Sequence, residues 1–225
     1  MRRALSNFFF IILAIFPNAV KRLVYNKCFG CEIDSTARIG ISFIRVTKIQ
    51  MGPKARIGNF NVIKDLELLQ LGIEASIGSA NRISAMPLGS RKHFQSELDR
   101  FPALIIGDYS AITGKHYFDC NNTISIGHHS QVAGLGSMFF THGINLNENR
   151  QESAIISIGN YCMIAARCVL VKGSQLPDCC VLAANSTLHK KFEKTHTLYS
   201  GVPAVALKGL DPSAEYFHRE KGYVA

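Results

Sequence analysis

The histidine at position 142 combines a residue type and a setting that suit proton transfer near neutral pH. It stands in the run F-F-T-H-G at positions 139–143 of this 225-residue chain, directly before an irregular stretch over 144–157. A neutral imidazole, whose pKa in free peptides is about 6.5, can accept a proton from a hydroxyl group within hydrogen-bond reach. A plainer alternative also fits the sequence, in which His142 is a solvated side chain at the root of a loop.

The other histidines and the cysteines offer less chemistry. His116, earlier in the chain, is a second candidate base, whereas His128-His129 is predicted to be an exposed pair. A zinc site of the hydratase kind needs three histidines, two of them close in sequence, and none lies within a few residues of His142. Cys28-x-x-Cys31 lacks a second pair at zinc spacing, so we interpret it as two unrelated thiols. We therefore predict no metal.

The residues that must position His142 follow a six-residue period. Across 158–188 an aliphatic residue returns at every sixth position, and a small residue follows it four places later. The aliphatic residues are Ile158, Ile164, Leu170, Leu176, Leu182 and Leu188, and the small ones are Cys162, Cys168, Ser174, Cys180 and Ser186. This period fits neither an α-helix nor a flat strand and is typical of a β-solenoid built from hexapeptides.

The same period continues backward in phase and predicts an all-β domain of about seven triangular coils, each made of three hexapeptides. The predicted coil starts are Ile33, Met51, Leu71, Ile106, Ile126, Ile158 and Leu176. The third faces are predicted to point Phe118 and Met138 inward, which places Asn122 beneath His142 at a strand spacing of roughly 4.8 Å. The surplus residues fall at one corner and predict long loops near 88–101 and 144–157.

Composition and charge narrow the class of protein. A hydrophobic content of 47% indicates a globular chain. The net charge is +9, and the first 27 residues hold five basic residues and no acid: Arg2, Arg3, Lys21, Arg22 and Lys27. Neither an aromatic–basic pattern nor a groove-reading helix is visible, so no nucleic-acid partner is predicted. The seven scattered cysteines argue against a disulfide framework and for a reducing compartment, the cytoplasm.

The ends of the chain are predicted to cap the solenoid. We expect three segments: a helical N-terminal segment over 1–27, the β-helix over 28–197 and a C-terminal cap over 198–225. The apolar run Phe8–Phe16 is too short to span a bilayer and is followed by a weak cleavage site, so secretion is not favoured. A short helix that lies on a membrane or packs on the solenoid is expected there. The C-terminal cap is predicted to be a tail or a short helix with Asp211 as its N-cap.

Three local motifs accompany the repeat. They are F-F-T-H-G at 139–143, A-N-S-T-L-H-K at 184–190 and S-G-V-P-A at 200–204. Over about residues 33–208 the repeat and these motifs resemble the hexapeptide-repeat acyltransferases, whose fold is a left-handed parallel β-helix. Within that family the chain looks most like the sugar and polysaccharide O-acetyltransferase branch. The resemblance implies a left-handed coil, which departs from the usual right-handed crossover rule.

The resemblance also implies an activity: transfer of an acetyl group from acetyl-CoA to a sugar hydroxyl of a bacterial surface polysaccharide or its precursor. In that family a histidine at the position of His142 is the general base, and no metal is required. The residues that match the family's coenzyme A site are Ala166, Ala184, His189, Lys190 and Lys208. On the acceptor side, Asn122 would orient the imidazole or bind the sugar, with a solvated or ladder asparagine as the plainer alternative, and His116 is the rival base. The family's site lies between neighbouring subunits of a homotrimer.

Two positions depart from the family pattern, and several alternatives stay open. Met163 stands in place of a common tryptophan, and Val205 in place of the basic residue that usually follows Pro-Ala, so Lys208 is the nearest substitute. One alternative is N-acylation of a nucleotide-linked amino sugar, and another is a non-catalytic scaffold that binds no coenzyme A. The basic, apolar N-terminus fits an acceptor built at the inner face of a membrane, although trimer packing explains it as well.

Overall fold

The computed structural model describes residues 2–90, 92–97 and 99–223, with side chains from Leu5 onward. Met1, Arg91, Leu98, Val224 and Ala225 lie outside the described residues, as do the predicted basic side chains of Arg2 and Arg3. The chain winds into a parallel β-helix whose three faces are sheets of short strands, stacked coil upon coil. A core of aliphatic side chains fills the space between the faces.

The strands of the three faces alternate regularly along the chain. The first face consists of Glu32–Ile33, Lys48–Met51, Leu68–Leu71, Ala103–Ile106, Ile124–Ile126, Ile156–Ile158 and Gln175–Leu176. The second consists of Arg38–Ile39, Arg56–Ile57, Ser76–Ile77, Ala111–Ile112, Gln131–Val132, Met163–Ile164, Val181–Leu182, Thr197–Gly201 and Ala204–Gly209. The third consists of Phe43–Arg45, Val62–Lys64, Arg82–Ser84, Tyr117–Asp119, Met138–Phe140, Val169–Val171 and Thr187–Leu188.

The register of the first face confirms the predicted coil starts. Ile33 pairs with Met51, and the chain of partners continues upward in phase. The further partners are Leu71, Ile106, Ile126, Ile158 and Leu176. Because each of these side chains is buried beneath the same residue of the next coil, the six-residue period is a direct record of the stacking.

The third face differs from the prediction by one residue in the coil that leads to His142. Phe139, not Met138, pairs with Phe118 and points inward; the two rings stack at 4.3 Å, while Met138 is 44% exposed. Phe139 follows Val132 by seven positions, whereas Phe118 follows Ile112 by six. Gly134 and Gly136, both at positive φ, accommodate the additional residue. As a result, residues 139–142 lie one residue away from their predicted partners in the coil below, and the predicted register returns at Ile158.

The N-terminal segment forms two helices rather than one, α1 (Arg2–Ile15) and α2 (Asn18–Cys28), separated by Pro17. Helix α2 closes the open end of the first coil with its side chains. The Asn26 amide donates to the carbonyl of Ile33 and accepts from its N–H, both at 3.0 Å. Lys21, predicted as part of a basic end, is instead buried and donates to the carbonyl of Gly40 at 2.6 Å. No helix among the described residues is long and apolar enough to cross a membrane.

The C-terminal segment continues the solenoid before it becomes a tail. Tyr199, in the strand Thr197–Gly201, pairs with Leu182 of the second face, and Ala204–Gly209 then adds an antiparallel strand. In place of the α-helix considered from the sequence, a short 3-10 helix spans Glu215–Phe217. Asp211 accepts hydrogen bonds from the N–H and hydroxyl of Ser213, so its carboxylate closes a turn rather than capping an α-helix.

The three faces of the β-helix form a triangular body, which we call the prism. Both predicted loops leave it at the edge between the third and first faces, and they differ in form. The first, residues 85–102 (called here the first excursion), contains no strand within its described part. The second contains an antiparallel hairpin of His142–Asn145 and Arg150–Ser153, which we call the hairpin. Since His142 is the first residue of the hairpin, its backbone is fixed by strand pairing rather than by a mobile loop.

Candidate active site

His142 and Asp119 form a contact pair at the root of the hairpin. Asp119 ends the third-face strand Tyr117–Asp119, is 4% exposed, and its Oδ2 contacts the imidazole Nδ1. The His142 side chain is 33% exposed, and Nε2 has no hydrogen-bond partner among the described residues. A carboxylate on Nδ1 favours the tautomer with the proton there, which leaves the Nε2 lone pair free to accept a proton.

Asn121 fixes the carboxylate beneath His142. Its N–H donates to Asp119 Oδ1 at 3.2 Å, and its side-chain amide nitrogen contacts the same oxygen. Its amide oxygen accepts from the N–H of Met86 at 2.8 Å, so the amide can point only its NH₂ group towards Asp119. The Asn121 amide nitrogen also lies 3.2 Å from His142 Nδ1.

The first excursion supports this arrangement through a buried arginine. Arg100, 4% exposed, donates to the carbonyls of Met86 and Asn121, both at 3.0 Å, and to that of Pro87 at 3.1 Å. Burial lowers the pKa of its guanidinium, while nearby carboxylates, Asp119 among them, act in the opposite direction. Its guanidinium carbon lies 4.4 Å from the centroid of the Phe94 ring. Phe94 in turn meets the His142 ring edge-on, at 6.0 Å between centroids.

The far face of the hairpin is tied to the next coil. Lys172 Nζ binds Glu152 Oε2 at 2.9 Å, and the Asn145 amide donates to Glu152 Oε1 at 2.7 Å. These hydrogen bonds, that from Lys172 first, lower the pKa of Glu152 to about 2. The hairpin is therefore held between the first excursion on one face and the body of the β-helix on the other.

The structure places Asn122 elsewhere than predicted, and it places His116 at a buried corner. Asn122 lies beside Ser153, the strand partner of His142, rather than beneath the imidazole ring. Its amide donates to Ser153 Oγ at 3.0 Å and so anchors the base of the hairpin. The one-residue shift at the Gly134–Gly136 corner accounts for the error, because it brings Asn121 under His142. His116 is 2% exposed at the corner between the second and third faces, away from the hairpin.

Both ring nitrogens of His116 are occupied. Nδ1 accepts from the N–H of Ser137 at 3.1 Å, which leaves the proton on Nε2, 2.9 Å from Thr113 Oγ1. Burial lowers the pKa of this imidazole to about 4. The backbone N–H of His116 donates to Asn81 Oδ1 at 2.9 Å. His116 therefore belongs to a ladder of corner residues, in which each backbone N–H donates to the side chain of the corner residue one coil below. The ladder comprises Ser42, Asn61, Asn81, His116, Ser137 and Cys168.

The coenzyme candidates lie on two different edges of the prism. Ala166 and Ala184 stack at the corner between the second and third faces, where the N–H of Asn185 donates to the carbonyl of Ala166 at 3.0 Å. His189 and Lys190 follow the last third-face strand and contact the ring of Phe192. Lys208 is exposed on the final antiparallel strand. Within one chain, the alanine corner and His142 are on opposite borders of the third face, so the structure does not bring them together.

Sequence reasoning missed four residues that surround His142: Asp119, Asn121, Phe94 and Arg100. Asp119 and Asn121 could have been found by allowing one additional residue between Val132 and the next inward side chain. Phe94 and Arg100 lie in an aperiodic segment and carry no such signal. No group of three or more His, Cys, Asp or Glu side chains able to hold a metal ion occurs in the described ranges.

Comparison with known proteins shows the fold. No family model matches the chain, and no curated protein does. Among solved structures, the polysialic acid O-acetyltransferase OatWY is 16% identical, covering 80% of this chain and 84% of its own, with a TM-score of 0.56. A mutant of AntD, an N-acyltransferase from Bacillus cereus in complex with dTDP-4-amino-4,6-dideoxyglucose and coenzyme A, is 10% identical, covering 86% and 88%, with a TM-score of 0.52.

A hexapeptide-repeat acetyltransferase from Vibrio cholerae, in complex with acetyl-CoA, is 22% identical, covering 63% of this chain and 71% of its own, with a TM-score of 0.51. A second structure of that protein is aligned over 63% of its own length. The prediction of a hexapeptide-repeat, left-handed parallel β-helix is thereby confirmed.

Proposed function

We propose that this protein is an acetyl-CoA-dependent O-acetyltransferase that acylates a sugar hydroxyl of a bacterial surface polysaccharide or its precursor. The observation that carries the proposal is the pairing of His142 with the buried carboxylate of Asp119, which leaves Nε2, on a side chain that is 33% exposed, without a hydrogen-bond partner among the described residues. An oriented imidazole with one open nitrogen is the arrangement that general-base catalysis of hydroxyl attack needs. It occurs here on a fold shared with acetyltransferases.

The pair accounts for each proton in the reaction. His142 Nε2 removes the proton of the acceptor hydroxyl as its oxygen forms a bond to the thioester carbonyl carbon. Asp119 stabilises the resulting imidazolium through Nδ1–H. When the carbon–sulfur bond breaks, the same Nε2–H returns its proton to the departing thiolate, so that an acetyl ester and free coenzyme A are released. A base of this kind contributes roughly 10²- to 10⁴-fold to the rate.

The separation of the candidate residues supports a homotrimer. Ala166 and Ala184 lie on a different edge from His142, so a complete site in our proposal takes the alanine corner of one copy and the hairpin of another. The exposed side chains of His189, Lys190 and Lys208 would then serve the nucleotide end of coenzyme A, where a lysine suits phosphate. Mixing chains that carry His142→Asn with chains that carry a bulky Ala184→Trp tests this: recovered activity in mixed trimers is expected.

The N-terminal helices support a peripheral position at the inner face of a membrane. On α1, Phe8 is 64% and Ile15 70% exposed, and no acidic residue precedes Glu32. An apolar helix beside basic residues suits an anionic lipid surface. Co-sedimentation with vesicles containing anionic phosphatidylglycerol should fall in a Phe8→Glu/Ile15→Glu variant and stay unchanged in Leu207→Glu, a control on the exposed final strand. Equal loss of trimers and of binding would instead assign α1 to subunit packing.

The proposed reaction is tested by thiol release from acetyl-CoA against a panel of saccharides that contains maltose, polysialic acid and dTDP-4-amino-4,6-dideoxyglucose. We expect acetyl esters to form, and we expect the rate to collapse in His142→Ala. Products only on amino groups would establish N-acylation. Calorimetry with coenzyme A separates both enzymes from a scaffold, since a scaffold would give no binding signal.

A further inference from the structure

A cavity of about 470 Å³ lies between the first excursion and the hairpin. Residues 92–96 form one wall, and Ile144 with residues 149–151 forms the other. Phe94 belongs to the first wall and also meets the ring of His142 edge-on, so one wall residue of the cavity borders the imidazole. Both walls come from this chain, and nothing described so far uses the space between them.

The pairing of the hairpin strands places His142 on the same face of the hairpin as two residues of the cavity wall, Ile144 and Gln151. Cross-strand partners point to the same side of an antiparallel ladder, and residues two apart share that side. His142 pairs with Ser153 and Ile144 with Gln151, so these four side chains share one face. The first excursion is docked on that face: Glu97 Oε2 accepts from Ser153 Oγ at 2.7 Å, and His93 Nδ1 lies 3.0 Å from Gln151 Oε1.

The chemistry of the walls is that of a site for a hydroxylated ligand. Among the described residues, the side chains of Lys92, Ser96 and Asn149 line the cavity and have no hydrogen-bond partner, which leaves an ammonium, a hydroxyl and an amide to bind a ligand. A hydroxyl and an amide can each donate and accept, as a sugar hydroxyl requires. Ile144, 65% exposed, offers an apolar surface beside them. A few polar groups around an apolar patch are typical of small-ligand sites.

We infer that this cavity is the saccharide-acceptor subsite, in which Ser96 and Asn149 hold the sugar ring while one hydroxyl reaches His142 Nε2. The inference rests on the proposed acetyl transfer and adds where the acceptor lies and which residues select it. The acyl donor occupies a different surface, because Ala166 and Ala184 lie at the corner between the second and third faces. The first excursion and the hairpin therefore determine acceptor specificity, and the coils determine donor binding.

The test compares a double variant with a matched control. Asn149 has a φ of +47°, a backbone conformation that glycine tolerates, so Asn149→Gly removes the amide without strain. Combined with Ser96→Ala, it should raise KM for the acceptor about tenfold, the effect of losing one or two hydrogen bonds. KM for acetyl-CoA and the Tm should stay unchanged. Asn147→Ala, an exposed asparagine of the same hairpin outside the cavity, is the control and should match the parent chain.

The outcomes separate this inference from the proposed function. If the parent chain binds acetyl-CoA and acylates a saccharide of the panel, an unchanged acceptor KM in the double variant overturns the subsite. Bound acetyl-CoA without transfer to any saccharide overturns the assignment of the cavity to a sugar. If acetyl-CoA is not bound at all, the acetyltransferase proposal itself has failed. A Ser96→Phe variant that fills the cavity and raises acceptor KM alone would support the subsite independently.

Discussion

His116 and His142 lie in neighbouring coils and have opposite surroundings. At the corner of His116 the chain turns inward, so the imidazole is buried, both nitrogens are bonded to protein, and the pKa falls to about 4. At the edge of His142 the chain leaves the prism, so one ring nitrogen contacts a carboxylate and the other has no hydrogen-bond partner among the described residues, on a side chain that is 33% exposed. The same residue type is thus part of a hydrogen-bonded ladder at one corner and the proposed base at the other, and the local path of the chain decides which.

The largest expected effect tests the functional half of this comparison. Replacing His142 by Asn removes the proton acceptor and should lower kcat/KM by roughly 10²- to 10⁴-fold. Thermal unfolding should change little, because the side chain is partly exposed and the hairpin keeps its strand pairing. Steady-state thiol release and calorimetric binding of acetyl-CoA would measure the two quantities. Activity within threefold of the parent chain would remove His142 from the chemistry.

Acid pH should reveal the structural role of His116 as a loss of unfolding free energy. The pKa of His116 is about 4 in the folded chain and 6.5 in the unfolded chain. Between these two pH values the unfolded chain binds a proton at His116 and the folded chain does not. The contribution of neutral His116 to the free energy of unfolding is therefore complete above pH 6.5. It is lost as the pH falls towards 4, which lowers the free energy of unfolding by up to about 3 kcal/mol. Urea unfolding at pH 7 and pH 4.5 would measure the loss. His116→Asn is the reference, since it lacks the titrating ring, and a parallel decline in both chains would contradict the assignment.

Asp119→Asn should separate orientation of the base from its presence. The amide can no longer stabilise the imidazolium and can favour the wrong tautomer, so kcat should fall by up to about 10⁴-fold. The KM for acetyl-CoA should be unaffected, because Asp119 is buried beneath the ring. Single-turnover acetyl transfer would report the chemical step. A change confined to KM would mean that Asp119 shapes a binding surface instead.

The smallest expected effect is the replacement of His116 by Asn. Asn81 and Asn61 already occupy the same ladder one and two coils below, where their amides bond to the next ladder residue and to a backbone carbonyl. We expect a cost of about 1 kcal/mol in unfolding free energy and no change in kcat. His116→Ala should cost more, about 2 to 4 kcal/mol, because it leaves the Ser137 N–H unpaired and opens a cavity. Greater loss with Asn than with Ala would refute the ladder.

The inward positions of the coils were predictable because the six-residue period is the stacking itself, as the register from Ile33 to Leu176 shows. The partner of His142 was not, because Met138 and Phe139 are both apolar and the period alone cannot decide which of them points inward. Two glycines signal the irregular corner, but their positive φ is visible only in the folded chain. Arg100 and Phe94 reach the site through a non-local fold of the first excursion, which periodicity does not encode.

The way in which α2 closes the first coil also governs how copies of this protein can associate. A stack of parallel strands ends in a row of unpaired N–H and C=O groups, which can template the growth of a filament from further chains. Here the amide of Asn26 pairs with both backbone groups of Ile33, and that of Asn18 bonds to the carbonyl of Ala37 and the N–H of Ile39. The two asparagine side chains make the hydrogen bonds that the strands of a further coil would make. The β-helix therefore ends there and does not extend into another chain.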